Sequence, residues 1–198
     1  MTPPQVALLL DPPRFWTRSE ILSRPSPAPK KPGVYAWYFY DLLLPFVTAN
    51  CQRHQDLSLL YIGIAPTAPP RGGKPPSSQT LRHRIQYHLR GNAEGSSLRL
   101  SLGCLLAPQL GLELRRVGSG TRMTFAAGEA LLSEWLDANA RLAWLEEDEP
   151  WKLESTLIQT LSLPLNLDQN ATHPFFPKLS ALRAEARARA RTLPILQA

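Results

Sequence analysis

Proline placement divides this chain before any other feature does. Eight of its twenty prolines fall within the first 32 residues (Pro3, Pro4, Pro12, Pro13, Pro25, Pro27, Pro29 and Pro32). Each removes a backbone donor and fixes φ, so most of residues 1–32 is excluded from regular structure. Phe15-Trp16 and Ile21-Leu22 are the apolar pairs that would pack such an arm onto a domain. A second cluster, five prolines and two glycines within residues 66–79, marks a long loop. The chain's 198 residues suit one domain with appendages, with a core large enough to need no disulfide. Cys51 and Cys104 stand alone without metal or redox spacing, which points to a reducing cytosol and a cytoplasmic protein. No stretch reaches the ~20 apolar residues of a membrane span, and no signal-peptide pattern is present, so no membrane association is expected.

The remaining segments read as alternating elements. Gly33–Tyr40 and Leu57–Ala65 are rich in aromatic and β-branched residues and predict two strands. Residues 41–56 between them are too long for a tight hairpin. Leu81, Ile85 and Leu89 recur every four residues between a capping Thr80 and Gly91, which predicts a helix. A helix over 97–106, a hairpin over 112–117 and 122–125, and a helix over 130–139 follow. After them come a strand over 141–146, a helix from Pro150 and a last helix over 178–191. The mixed order implies an α+β domain built on a small antiparallel three-stranded sheet flanked by helices. The domain would span residues 33–170, with insertions at 41–56, 66–79 and 91–127, the last carrying a helix and hairpin. A basic helix in 171–198 would pack on it.

Charge is unevenly placed within a net +6. Residues 71–122 hold nine Lys and Arg against Glu94 and Glu113, and the last helix is basic again. Arginine's fork suits phosphate oxygens, which makes a polyanion a fitting partner. Solvated helix faces are the competing reading.

Four separated segments carry chemistry when taken together. They are Gly33-Val34-Tyr35, Tyr61-Ile62-Gly63, the helix with Arg84 and His88 four residues apart on one face, and Glu154 followed by Pro164-Leu165-Asn166. In order and residue type the set resembles the GIY-YIG nuclease family. The resemblance implies a metal-dependent endonuclease that hydrolyses phosphodiester bonds in DNA. Tyr61 would be the general base, with Tyr35 and His88 orienting the water and the base or relaying its proton. Arg84 would contact the scissile phosphate, and Asn166 would hold the phenols or the backbone through its amide. Glu154 would be the single protein ligand to Mg2+ or Mn2+, since magnesium keeps most of its waters and often takes only one or two carboxylates. A free phenol has a pKa near ~10, so nearby cations must make its anion accessible. Gly33 and Gly63 would allow close approach of the strands.

The sequence departs from the family pattern in three places. Tyr35 and Tyr61 are 26 positions apart (61 − 35), and the proline-rich loop lengthens the gap from Gly63 to Arg84. A lysine that many relatives place shortly after the second glycine is absent; Lys74, or Arg71, would supply that charge. Further substrate contacts are expected from Arg90, Arg99, Arg115 and Arg116, the last two with Arg122 on a hairpin laid in a duplex groove. Arg183, Arg187 and Arg191 share one helix face and would track phosphates. The loop running from Arg90 to Arg99 serves equally as a phosphate seat or a helix-capping connection. One such site cuts one strand, so a double-strand break would need a homodimer or successive nicks. The alternative function is a nucleic-acid-binding module that retains the fold without cleaving.

Overall fold

The computed structural model describes residues 6–40, 48–70 and 75–197. Two short helices, α1 (Ala7–Leu10) and α2 (Arg18–Leu22), precede strand β1 (Gly33–Tyr40). The elements β2 (Arg53–His54), β3 (Leu57–Ala65), α3 (Leu81–Arg90) and α4 (Ser97–Leu110) follow. Then come β4 (Arg115–Val117), β5 (Arg122–Thr124), α5 (Gly128–Asn139), β6 (Ala140–Glu146), α6 (Pro150–Thr160) and α7 (Phe176–Thr192). The class is α+β, with a sheet of order β2-β3-β1-β6 whose strand pairs are all antiparallel.

The expected three strands are four. Arg53 and His54 return along β3 opposite Ser58 and Leu57, through a turn in which Gln55 takes a positive φ of 55°. Two polar residues give no β signal, so pairing alone makes this strand. The adjoining residues 41–47 of the expected insertion lie outside the described residues.

β1 is central and is covered on both faces, which explains its nearly unbroken apolar run. Tyr35, Trp37 and Phe39 belong to the core that also holds residues of α3, α4 and α5. Val34, Ala36 and Tyr38 join a second core with α1 and α6. The stripe Leu81, Ile85 and Leu89 is wholly buried, as its spacing predicts. Thr80 caps α3 through its side chain.

A β-bulge decides what β3 presents. Trp37 pairs with Tyr61 but Tyr38 pairs with Leu59, so Leu60 is an extra residue. The bulge switches the alternation of side chains: Leu57 and Leu59 face the second core, yet so do Ile62 and Ile64. Tyr61 is thereby turned to the same face as Tyr35.

The proline-rich arm is irregular over most of its length, but it is not peripheral. Trp16 exchanges both backbone hydrogen bonds with Leu142 of β6, at 2.9 and 3.0 Å. A capping box between Thr17 and Glu20 starts α2, and Leu9 and Ile21 are fully buried. α4 runs beyond residue 106 to Leu110, with Pro108 in its last turn and Gly111 closing it in the left-handed conformation. α7 packs on α4.

The β4–β5 hairpin does not stand out as a groove-reading element. Val117 bridges Leu196, and Leu196 donates its N–H to the Arg116 carbonyl at 2.9 Å. The Arg115 guanidinium donates to the Pro194 carbonyl, and Arg116 donates to the carbonyls of Ala190 and Leu193. These two arginines close the C-terminal end of α7, where unpaired carbonyls need donors. Both were expected to contact substrate; the donors seen here go to this helix end. Among the described residues no helix is long and apolar enough to cross a membrane.

Candidate active site

The elements converge on one cavity of about 750 Å3. β1 contributes Tyr35, β3 Tyr61 and Gly63, α3 Arg84, α4 Ser97 and α6 Glu154. The segment after α6 adds Asn166 and Asp168, and α7 closes the far wall with Arg183 and Arg187. Five of the six residues expected to carry the chemistry therefore line one space.

The sixth, His88, stands behind them. It is fully buried, with one ring nitrogen 2.7 Å from the Tyr35 hydroxyl and the other 2.6 Å from Ser96 Oγ. Burial, then the cations of Arg84 and Arg99, hold its pKa well below the ordinary value, so the ring is neutral. A neutral imidazole offers one donor and one acceptor, and both are used by these hydroxyls. His88 is thus a positioning residue for Tyr35 and not a group that meets the cavity.

Tyr35 is 1% exposed, and Gly63 lies directly opposite it in the β1–β3 pair. A Cβ at Gly63 would collide with the phenolic oxygen and the ring carbons beside it. The ring cannot swing away, because its hydroxyl is fixed by His88. Gly63→Ala is expected to destabilise the protein by about 1–3 kcal/mol through overpacking. A thermal melt checks this.

Tyr61 is 7% exposed, and its hydroxyl sits 3.2 Å from Ser97 Oγ. Burial pushes its phenol up overall, helped by the charge of Glu154, while the Ser97 hydrogen bond and the charges of Arg84 and Arg183 offset part of that rise. Tyr35 is pushed up further, by burial and then by Tyr61. Arg84 donates one N–H to the Gly95 carbonyl at 2.8 Å, which anchors the guanidinium at the cavity wall. Asn166 clamps β3 by its amide: Oδ1 accepts from the Ile62 N–H at 3.0 Å, and Nδ2 donates to the Ile62 carbonyl at 2.9 Å. Of the two roles expected for it, the structure places it on the backbone, between Tyr61 and Gly63.

Glu154 projects from the margin of the apolar face of α6, one turn before Ile158. It has no hydrogen-bond or ion-pair partner among the described residues. Burial, then the charge of Asp168, pushes its carboxyl up to about 7. A half-buried, unpartnered carboxylate beside a second one is short of positive charge, so the pair fits a divalent cation. No cluster of three or more His, Cys, Asp or Glu suited to a metal occurs among the described residues. Two carboxylates suffice for magnesium.

Sequence reasoning missed Ser97 and Asp168. Ser97 follows the helix cap Ser96 and looks like part of it. Asp168 offers one signal: it stands two residues after Asn166 in Leu165-Asn166-Leu167-Asp168.

The other expected cations divide. Arg183 and Arg187 line the cavity, and Arg90 is exposed and, among the described residues, bonds only Gln86, at 3.4 Å. Lys74 and Arg71 lie outside the described residues. Arg99 is the clearest correction: it is wholly buried, and its guanidinium donates twice to Glu129 Oε2, at 2.7 and 2.9 Å. Further bonds go to the His88 carbonyl, the Glu129 carbonyl and Ser133 Oγ. With its donors so engaged it ties α3 and α4 to α5 and meets no substrate. The loop before it is a capping connection, in which Ser96 accepts the Arg99 N–H at 3.1 Å.

No curated protein and no solved structure gives a significant match. A family model described as the GIY-YIG catalytic domain matches residues 33–185, which takes in the sheet, the cavity and the first half of α7. With the match running over more than half of its length, and both tyrosines, the arginine and the glutamate on one cavity, the chain belongs to the GIY-YIG family of nuclease domains.

Proposed function

We propose that the protein is an endonuclease that hydrolyses phosphodiester bonds in DNA with the help of a divalent metal ion. The observation that carries this reading is the unpartnered Glu154 facing the same cavity as Tyr61 and Arg84. A phosphodiester resists attack because it is anionic, so cleavage requires an activated water and compensation of charge at phosphorus. Arg84, anchored through Gly95 and interacting with the Tyr35 hydroxyl, brings a fixed positive charge to a phosphoryl oxygen. Glu154, with Asp168 beside it, would hold Mg2+ or Mn2+, which supplies polarisation of a phosphoryl oxygen and stabilises the departing one. Once it has given up its own proton to solvent, the Tyr61 phenolate accepts a proton from the attacking water as the new bond to phosphorus forms. The bond from phosphorus to a sugar oxygen breaks, and that oxygen leaves as an alcohol after taking up a proton.

The environment of Tyr61 sets the terms of that step. Burial, with the charge of Glu154, favours the neutral phenol and outweighs Ser97, Arg84 and Arg183, which favour the phenolate; the phenolate is therefore the minor form. Tyr35 and His88 keep the neighbouring wall rigid, and Asn166 holds the strand that carries Tyr61. Tyr61→Phe removes the proton acceptor with little change of shape. It is expected to lower the cleavage rate by about 10²–10⁴-fold. DNA binding, measured in parallel, should persist; an unchanged rate would remove Tyr61 from the mechanism.

A further inference from the structure

The cavity does not end at the catalytic residues. Arg187 borders both it and a second concavity of about 230 Å3, which Arg191 also lines. Arg183, Arg187 and Arg191 stand four residues apart on α7, so each step advances about 6 Å along the helix. That spacing is comparable to the distance between successive phosphates of an extended single strand. Among the described residues Arg183 Nε is buried with no partner, and its guanidinium has only a 3.3 Å bond to Ser101 Oγ. Arg187 and Arg191 have no hydrogen bond or ion pair among the described residues. By contrast, Arg99 is paired with Glu129, and Arg115 and Arg189 share Glu113. Glu94, the acid lining the second concavity, turns its Oε2 to the Met123 N–H at 2.7 Å. The β4 edge of the hairpin is occupied by the C-terminal residues, with Val117 bridging Leu196.

We infer that α7 is a track for a single-stranded nucleic-acid segment, which leaves the catalytic cavity over Arg187 and reaches the second concavity at Arg191. The inference rests on reading the cavity as a phosphodiester site. It names a strand that is unpaired, or splayed from a duplex, as the form of substrate engaged. A base-paired strand would have to carry its partner into the space between α7 and the neighbouring loops.

Arg187→Ala and Arg191→Ala test the track, since neither side chain holds the fold. Binding of a fluorescent oligothymidylate and of a blunt mixed-sequence duplex is measured by anisotropy across a salt series, in a buffer without divalent cations. Each substitution is expected to weaken oligothymidylate binding by about fivefold to tenfold. Each should also lower the slope of log affinity against log salt by about 0.7, with duplex binding little changed. Equal losses on both ligands, or no loss on the oligomer, would overturn the track. Cleavage of both ligands by the unsubstituted protein in Mg2+ is scored separately. Failure to cleave either, with the oligomer losses intact, would sink the nuclease reading and leave the track standing.

Discussion

Glu154→Gln is expected to abolish metal-dependent cleavage and, in the same protein without metal, to raise stability at alkaline pH. The carboxyl is pushed up to about 7 from an ordinary value of 4.5 by burial and by Asp168. For a group raised in the folded state, the linked stability is complete below the unfolded pKa. It is lost as pH rises through the folded one, here between about 4.5 and 7. Above that window the ionised side chain opposes folding. At about 1.4 kcal/mol per unit, reduced for the water that still reaches it, the cost is roughly 2 kcal/mol. Glutamine keeps the shape and removes the charge, so metal-free Glu154→Gln should melt roughly 4–8 °C higher than the parent at pH 8. The gap should close towards pH 4.5. In Mg2+ the order of merit reverses. Loss of the carboxylate removes several kcal/mol of transition-state stabilisation, about 10³-fold or more in rate. On the proposed reading, a proton must leave Glu154 in the parent protein before a cation binds. Apparent cation affinity should therefore fall about tenfold per pH unit below about 7. Melting curves at several pH values and a magnesium titration check these outcomes. A variant no more stable at pH 8 would mean that Glu154 carries no unmet charge.

Arg99→Met should be the most damaging single change to the fold. Its guanidinium is 0% exposed and is matched to Glu129, whose other oxygen, Oε1, accepts the N–H groups of Ala93 and Phe125 at 2.8 and 3.0 Å. Removing the cation leaves a mostly buried carboxylate without its counter-charge and strips donors from the carbonyls of His88 and Glu129. Breaking a buried pair from one side costs about 3–5 kcal/mol, which corresponds here to a melting point lower by roughly 10 °C or more. Replacing Glu129 by leucine alongside Arg99→Met removes the stranded charge and should restore part of the loss. A melting point within experimental scatter of the parent would contradict the structural role given to Arg99. It would also reopen the possibility that this arginine meets substrate.

What could be read from the sequence follows from which interactions are local. The strands Gly33–Tyr40 and Leu57–Ala65 and the stripe Leu81, Ile85 and Leu89 were legible because apolar periodicity follows directly from burial on a sheet or helix. The site was legible in outline, since the family's motifs name Tyr35, Tyr61, Arg84 and Glu154. Its geometry was not. Whether Tyr61 faces Tyr35 depends on the extra residue Leu60, a bulge that leaves no mark in a run of apolar residues. Arginine counts likewise record charge and not its partner. Arg99 meets an acid thirty residues downstream, and Arg115 and Arg116 meet the end of a helix still further on. Asp168 was missed for the same reason: its place two residues after Asn166 was its one signal, and its effect is felt at Glu154, on another element. The short strand Arg53–His54 owes its conformation to its neighbour Leu57–Ser58 and to nothing in its own residue types.

The most direct test is strand cleavage by the purified protein on circular and splayed DNA, with Mg2+ or with chelator, beside Arg84→Ala. Nicking that requires the divalent ion and falls by about 10²-fold or more without the guanidinium is the expected result. Cleavage that survives chelation, or an Arg84→Ala protein as fast as the parent, would contradict a cation-assisted reaction at this cavity.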